Sequence, residues 1–365
     1  MEYEEPAFFE VLRYAAGVDR DTIDMVSGNP DWEPPPALRE GLHTYADADP
    51  DEFQYPASAG LPGLRSTIAE RRNVDRDAVV VTNGAGEANH LATARALERG
   101  RSTEVVMTDP VYPYYPGRVS MLGGDQVFVP VADDGRLDPA TVADAASAET
   151  AAILVTTPNN PTGAVYDAST MEALVETAAA NDAVLISDET YDHFDYSGRF
   201  SSALEIDSTH RIVTTSFSKS MGITGFRVGY GIFPYADVAA VKTRHMLTNV
   251  TGSRPAQAAV HAALTATGPE YYADTRAMLR DRIDAFTGAL DAAGAEYTRP
   301  DGAFYVRARL PGFDGTMAAV KRLIDETGVA GMPGDAFGPG RADWLRFALV
   351  TPRVTEAADR LTTAL

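Results

Sequence analysis

The sequence predicts an α/β protein: a large domain whose mostly parallel, seven-stranded sheet is sandwiched by helices, and a smaller α+β domain formed by the C-terminal part and an N-terminal arm. Three observations carry this. Seven short apolar, β-branched runs recur between residues 78 and 232. Most of them are continuous rather than alternating, as strands covered on both faces read, and helix-length segments lie between several of them. From about residue 240 the texture changes to longer helical stretches with two strand-like runs between them, which reads as a second, α+β unit.

The elements follow in order. The first 45 residues hold a short amphipathic stretch and then SGNPDWEPPP, residues 27–36, too rich in proline for a regular element. This arm is expected to pack on the C-terminal domain rather than enter the sheet. Strands are expected at Ala78–Thr82, Glu104–Thr108, Val127–Val131, Ala152–Thr156, Ala183–Ser187, Arg211–Thr215 and Val228–Ile232, with helices between them such as Glu87–Glu98 and Met171–Asn181. Farther on, helices are expected at Tyr271–Ala293, Thr316–Thr327 and Thr355–Leu365, and strands at Ala303–Leu310 and Trp344–Val350. The boundaries implied are an arm over 1–45, a large domain over 46–240 and a small domain over 241–365.

Composition excludes several functions. The 365 residues carry 31 Lys plus Arg against 52 Asp plus Glu, a formal charge of −21, so nucleic-acid binding through net charge is excluded. Apolar residues make up 45% of the chain, enough for a large core. There is no cysteine, which removes disulfides, thiolate nucleophiles and cysteine-ligated metals, and the six histidines show no paired ligand spacing, so no metal is expected. The N-terminus is acidic where a signal peptide is basic, and no apolar run approaches the roughly 20 residues of a membrane span. A soluble cytoplasmic protein without a membrane partner is expected. Only Lys219, Lys242 and Lys321 are lysine. An acidic, lysine-poor composition resembles proteins of salt-loving microbes, where salt screens self-repulsion, although GC-rich codon usage favours arginine too.

In an open parallel sheet the ligand crevice lies beyond the carboxyl ends of the strands. Here those ends are polar. Ala78–Thr82 runs into Asn83-Gly84-Ala85-Gly86, and Ala152–Thr156 into Thr157-Pro158-Asn159-Asn160-Pro161-Thr162-Gly163. Ala183–Ser187 runs into Asp188-Glu189-Thr190-Tyr191, and Arg211–Thr215 into Ser216-Phe217-Ser218-Lys219, with Arg227 eight residues on. Taken singly these are a tight turn, a type I turn, a helix cap and a solvated lysine. Taken together they aim amide donors, a carboxylate, a phenol and two cations into one crevice, and the strand-glycine-helix junction leaves backbone amides free for an anion.

These motifs, SFSKSMGITGFRVGY above all, with NNPTG and DETY upstream, resemble those of the fold type I pyridoxal-phosphate enzymes of the class I/II aminotransferase family, within the aspartate aminotransferase superfamily. The likeness runs from Ser27-Gly28-Asn29-Pro30 to Trp344-Leu345-Arg346-Phe347. It implies pyridoxal 5'-phosphate as cofactor, and transfer of an amino group between an L-amino acid and a 2-oxo acid by ping-pong half-reactions through a lysine aldimine. The alternative on the same fold is a decarboxylase or β-lyase, because which bond at the α-carbon breaks depends on substrate orientation.

By this resemblance Lys219 carries the cofactor and shuttles the proton, which calls for an amine depressed by a nearby cation and a dry site. Asp188 pairs with the ring nitrogen, and Tyr191 and Asn160 bond the phenolic oxygen. The phosphate sits on the amides of Ala85 and Gly86 with Ser216, Ser218 and Arg227. Tyr112 stacks on the ring, with Tyr114 or Tyr115 as alternatives. Arg346 takes the substrate α-carboxylate, an edge-strand surface arginine being the plainer reading, and Gly28 gives the arm close approach to that carboxylate. Tyr55 resembles the tyrosine that crosses to the partner's phosphate, which implies a homodimer with shared active sites. Arg254 either faces solvent or meets an acidic substrate side chain in the neighbouring subunit. Phe304 and Tyr305 read as pocket or core.

Overall fold

The computed structural model describes residues 5–100, 102–338 and 340–364. Seven strands form one sheet in the order Val79–Thr82, Gly229–Ile232, Arg211–Ser216, Val184–Asp188, Thr150–Thr156, Glu104–Asp109, Asp125–Pro130. Every pairing is parallel except those of Gly229–Ile232, which runs antiparallel to both its neighbours. That strand reverses because Gly229 pairs with Ser216, so the chain returns from the same end of the sheet at which it left. The α/β class and the mostly parallel sheet therefore stand as the sequence predicts.

Burial accounts for the unbroken apolar runs. Val79–Thr82, Thr150–Thr156, Val184–Asp188 and Gly229–Ile232 are buried at every residue. Val80, Leu91, Val105 and Ile186 pack on one face with Val238 and Val241 of the helix Tyr235–Asn249; Val106, Ile153, Leu185 and Val213 pack on the other with Leu174 of Ala168–Ala180. The edge strand starts two residues before its expected first residue, at Asp125, and its largely exposed sequence ends on Pro130, as an edge tolerates.

A four-stranded antiparallel sheet, Met332–Pro333, Leu345–Ala348, Tyr305–Arg309 and Glu296–Thr298, makes a second core with Val11, Met25, Phe286, Val320, Leu323 and Leu361. The front of the N-terminal arm belongs here: the helix Ala7–Gly17 supplies Val11, and Ile23–Asp24 pairs in parallel with Val329–Ala330. The rest of the arm departs from expectation. The helix Pro36–Ala46 packs instead on Arg254–Ala266, with Leu38 in one cluster with Val79, Val81, Tyr230, Ala259 and Val260.

The expected boundary at 240 also falls inside the helix Tyr235–Asn249, whose Val238 and Val241 face the large sheet. Helical texture shows that a helix forms, but the position of its apolar stripe relative to two available cores decides which one it covers. No helix among the described residues is long and apolar enough to cross a membrane.

Gly229 is where fold and site meet. It pairs with both Thr82 and Ser216, and a Cβ there would lie 2.6 Å from the Gly84 carbonyl carbon, 2.7 Å from the Thr215 oxygen and 2.8 Å from the Ala85 nitrogen. These are backbone atoms and cannot swing aside. Gly229→Ala is expected to destabilise the protein by about 1–3 kcal/mol, read as a lower urea midpoint, whereas Gly288→Ala, in open space on the helix Pro269–Ala292, leaves the midpoint unchanged or raises it.

Candidate active site

The strand ends lie level because of register: Thr156 stands beside Asp188, and Gly229 beside both Thr82 and Ser216. Past them opens a cavity of about 550 Å³. Every sequence-predicted site residue except Tyr55 lines it. Tyr55 is 80% exposed on its own chain.

Lys219 sits on the single turn Phe217–Ser220 that follows the strand Arg211–Ser216, and its amine donates to the Gly28 carbonyl at 2.5 Å. Burial, and then the guanidinium groups of Arg346 and Arg227, lower its pKa from 10.5 to about 8. Gly28 is needed at this approach, because a side chain there would collide with the Tyr305 hydroxyl.

Asp188 is buried, and four donors fix it. Asn89 Nδ2 at 2.6 Å and the Tyr115 hydroxyl at 2.5 Å donate to Oδ2; the Thr190 amide at 3.0 Å and its hydroxyl at 2.6 Å donate to Oδ1. The Thr214 hydroxyl donates to Asn89 Oδ1 at 2.8 Å and so turns the amide's NH2 toward the carboxylate. Tyr115 thus holds the acid, Tyr114 is partly exposed, and Tyr112 lines the cavity with its ring edge-on to that of Tyr115 at 5.4 Å.

Opposite lies an anion cup. Ala85 and Gly86 open the helix Ala85–Glu98, so their amides have no partner within the helix, and the hydroxyls of Ser216 and Ser218 face the same cavity. Arg227, in the left-handed region at φ 54°, donates to the Asn83 and Thr224 carbonyls at 3.1 and 2.9 Å. A Cβ on Gly84, itself at φ 77°, would come within 2.5 Å of the Arg227 Nη2, so only glycine lets the guanidinium lie over this turn.

Arg346 is buried in a strand paired on both sides, with Arg307 and with Met332 as neighbours, so the edge-strand reading fails. Its guanidinium donates to the Val26 carbonyl and to Asn160 Oδ1 at 3.5 Å, lies over the Tyr305 ring at 4.6 Å, and leaves Nε without a partner. The Tyr191 and Tyr305 hydroxyls are 2.8 Å apart, and burial pushes the Tyr191 phenol well above its usual pKa, so it stays protonated. Tyr305 is therefore a pocket residue.

Arg254 does not stand free in solvent: only 16% of its side chain is exposed, and it ties the Asp51 and Gln54 carbonyls and the Glu52 carboxylate to the helix Arg254–Ala266. Asn89 and Thr214 escaped sequence reasoning, as did the bond from Tyr115 to Asp188. The available signal was Asn89 itself, a polar residue four positions after Ala85 and so on the same face of a helix that starts at the glycine turn.

The model of the family described as aminotransferase class I and II matches residues 20–361. The chain belongs to this family. It is 32% identical over 357 residues to a probable aspartate/prephenate aminotransferase of Thermus aquaticus, covering 94% of this chain and 92% of that one. It is 33% identical over 352 residues to an aspartate aminotransferase of Thermotoga maritima, covering 93% and 90%. Among solved structures it superposes on a mutant of the Thermus thermophilus aspartate aminotransferase with a TM-score of 0.93 at 29% identity, covering 100% and 97% of the two chains.

The chain is a pyridoxal-phosphate-dependent aminotransferase that moves an amino group between an amino acid and a 2-oxo acid. The residues of the aminotransferase's cavity fit that cofactor: an amine depressed to about 8, a buried carboxylate held by four donors, and a helix N-terminus with unpaired amides.

Because burial and then the neighbouring cations disfavour the charged amine, Lys219 is neutral above about 8, and its capture of a carbonyl reagent grows as pH rises through that value. In cofactor-free protein, trinitrobenzenesulfonate labelling of the peptide holding Lys219 is expected to titrate near pH 8. Arg346→Ala moves the midpoint upward. A wild-type midpoint at the ordinary lysine value of 10.5 contradicts this.

Proposed function

We propose that this aminotransferase works through Lys219, Asp188 and Tyr191 as its catalytic groups, with Arg346 as receiver of the substrate α-carboxylate. The observation that carries this is the meeting of a depressed lysine amine with a buried arginine that no carboxylate of the described chain pairs, across one cavity. A buried guanidinium without an anion is costly, and its planar fork matches a carboxylate by two parallel hydrogen bonds. When bound, pyridoxal phosphate supplies a conjugated ring that takes up the electron pair released at the substrate α-carbon.

Lys219 would hold the cofactor and serve as the base that takes and returns the α-proton, a neutral amine near pH 8 being well matched to that work. Asp188 keeps the ring nitrogen protonated and is itself kept in place by Asn89, Tyr115 and Thr190. Tyr191 and Asn160 donate to the phenolic oxygen, Tyr112 covers the ring, and Ala85, Gly86, Ser216, Ser218 and Arg227 hold the phosphate. Gly28 gives the arm close approach to the substrate α-carboxylate.

A second copy of the chain completes the site. Tyr55 does not line its own cavity, and Phe53, Tyr55, Met246, Leu247 and Val250 are all exposed on the segments that flank Arg254, which bonds the Asp51 and Gln54 carbonyls. We assign these exposed side chains to a homodimer interface that delivers Tyr55 to the partner's phosphate. A cytoplasmic setting and, given the charge of −21, a salt-rich one accompany this reading.

Mixing the purified protein with pyridoxal phosphate is expected to give a visible band that moves to the ultraviolet with an amino donor, in a panel run at high and low salt that starts from the substrates named for its relatives. If no α-amino acid moves the band, the reading fails. Lys219→Ala loses the band and at least roughly 10²–10⁴-fold of turnover. Asp188→Asn keeps bound cofactor but slows α-proton removal by about 10²-fold or more. Leu247→Asp is expected to shift the sedimentation coefficient from dimer to monomer, and an unchanged coefficient assigns the interface elsewhere.

A further inference from the structure

Arg118 lines the cavity, yet none of the roles above uses it. It stands on the helix Tyr114–Met121, three residues after Tyr115, and its guanidinium lies over the Tyr115 ring at 5.7 Å from the centroid. Its Nη1 is closed off from solvent with no hydrogen-bond partner, and no carboxylate among the described residues forms an ion pair with it. Burial lowers its pKa, and its surroundings, the phenols of Tyr115 and Tyr112 and the more distant Asp188, do not neutralise it. A guanidinium left in this condition is held for an anion that enters from outside.

The space for that anion is visible. A Cβ built on Gly86 would meet one atom within 4 Å, the Arg118 Nη2 at 4.0 Å, so the gap between the start of the helix Ala85–Glu98 and the guanidinium is open. Gly86 leaves this gap by having no side chain to fill it. Two anions enter the cavity: the cofactor phosphate, already served by two amides, two hydroxyls and Arg227, and the substrate, whose α-carboxylate goes to Arg346. What remains for Arg118 is a second acid on the substrate.

We propose that Arg118 is the residue that reads the substrate side chain, and that it selects an amino donor or oxo acid ending in a second carboxylate. This rests on the transamination assigned above, with Arg346 at the α-carboxylate. Two planar guanidinium groups, one from the small sheet and one from the helix Tyr114–Met121, then hold the two ends of a dicarboxylic substrate, and Lys219 lies in the same cavity.

The test uses the holoenzyme and its Arg118→Met and Arg118→Lys variants. For Arg118→Met, kcat/KM with aspartate and glutamate is expected to fall by ~100-fold or more, as loss of a buried charge pair does, while alanine and phenylalanine change by less than about threefold. Succinate binding, followed by calorimetry without turnover, weakens in step; acetate binding and the Kd for pyridoxal phosphate do not move. Arg118→Lys recovers part of the succinate affinity, because it restores the charge without the fork.

Equal losses for acidic and apolar donors, or a weakened grip on pyridoxal phosphate, place Arg118 in the cofactor site and overturn the proposal. So does succinate binding that is unchanged in Arg118→Met. Failure of transamination itself shows separately, as a wild-type holoenzyme that binds succinate through Arg118 but is converted by no amino donor.

Discussion

The register of the large sheet is the constraint on which the site depends. Because Gly229 faces Thr82 on one side and Ser216 on the other, the turn that starts the helix Ala85–Glu98 and the turn that carries Lys219 are forced side by side. The antiparallel strand has no room for a side chain at that point, so the anion cup and the lysine turn share one backbone contact. A slip of one residue would turn Asp188 and Thr156 to the opposite face of the sheet and separate them from this cup.

Electrostatics then divide the cavity. Among the described residues, three guanidinium groups, those of Arg118, Arg227 and Arg346, line it with one buried carboxylate, Asp188. Such an excess of positive charge in a dry place is unfavourable by itself; burial first, and then Arg346 and Arg227, lower the Lys219 amine to about 8. The imbalance makes sense for a protein whose cofactor brings a phosphate and whose substrates bring a carboxylate: the binding of each relieves a cost built into the fold. The acidic surface of the chain, at −21 overall, stands in contrast to this cationic interior.

Asp188 shows how much of a functional group lies in its surroundings. Its carboxylate alone could have capped a helix, but Asn89 and Tyr115 converge on it from two distant places in the chain and Thr190 from its own turn, and Thr214 in turn sets the orientation of Asn89. The same holds for Arg346, whose apolar strand neighbours mark it as facing something, while the partners that leave its Nε free come from Val26 and Asn160, far away in sequence.

The amino-acid sequence by itself determined the strands, the chain order of the polar strand ends and the side chains that stand at those ends, because continuous β-branched runs and glycine or proline turns are local signals. Lys219, Asp188, Asn160 and Arg227 were legible there for that reason. Tertiary structure alone decided which core each later helix covers, so that Pro36–Ala46 and Tyr235–Asn249 joined the large sheet, and which of three neighbouring tyrosines holds Asp188. It also decided that Arg254 is tied into the loop at Asp51–Gln54 and that Arg118 forms no ion pair among the described residues. These are outcomes of packing between segments separated by tens to hundreds of residues, where apolar periodicity shows that a face is buried but not what lies against it.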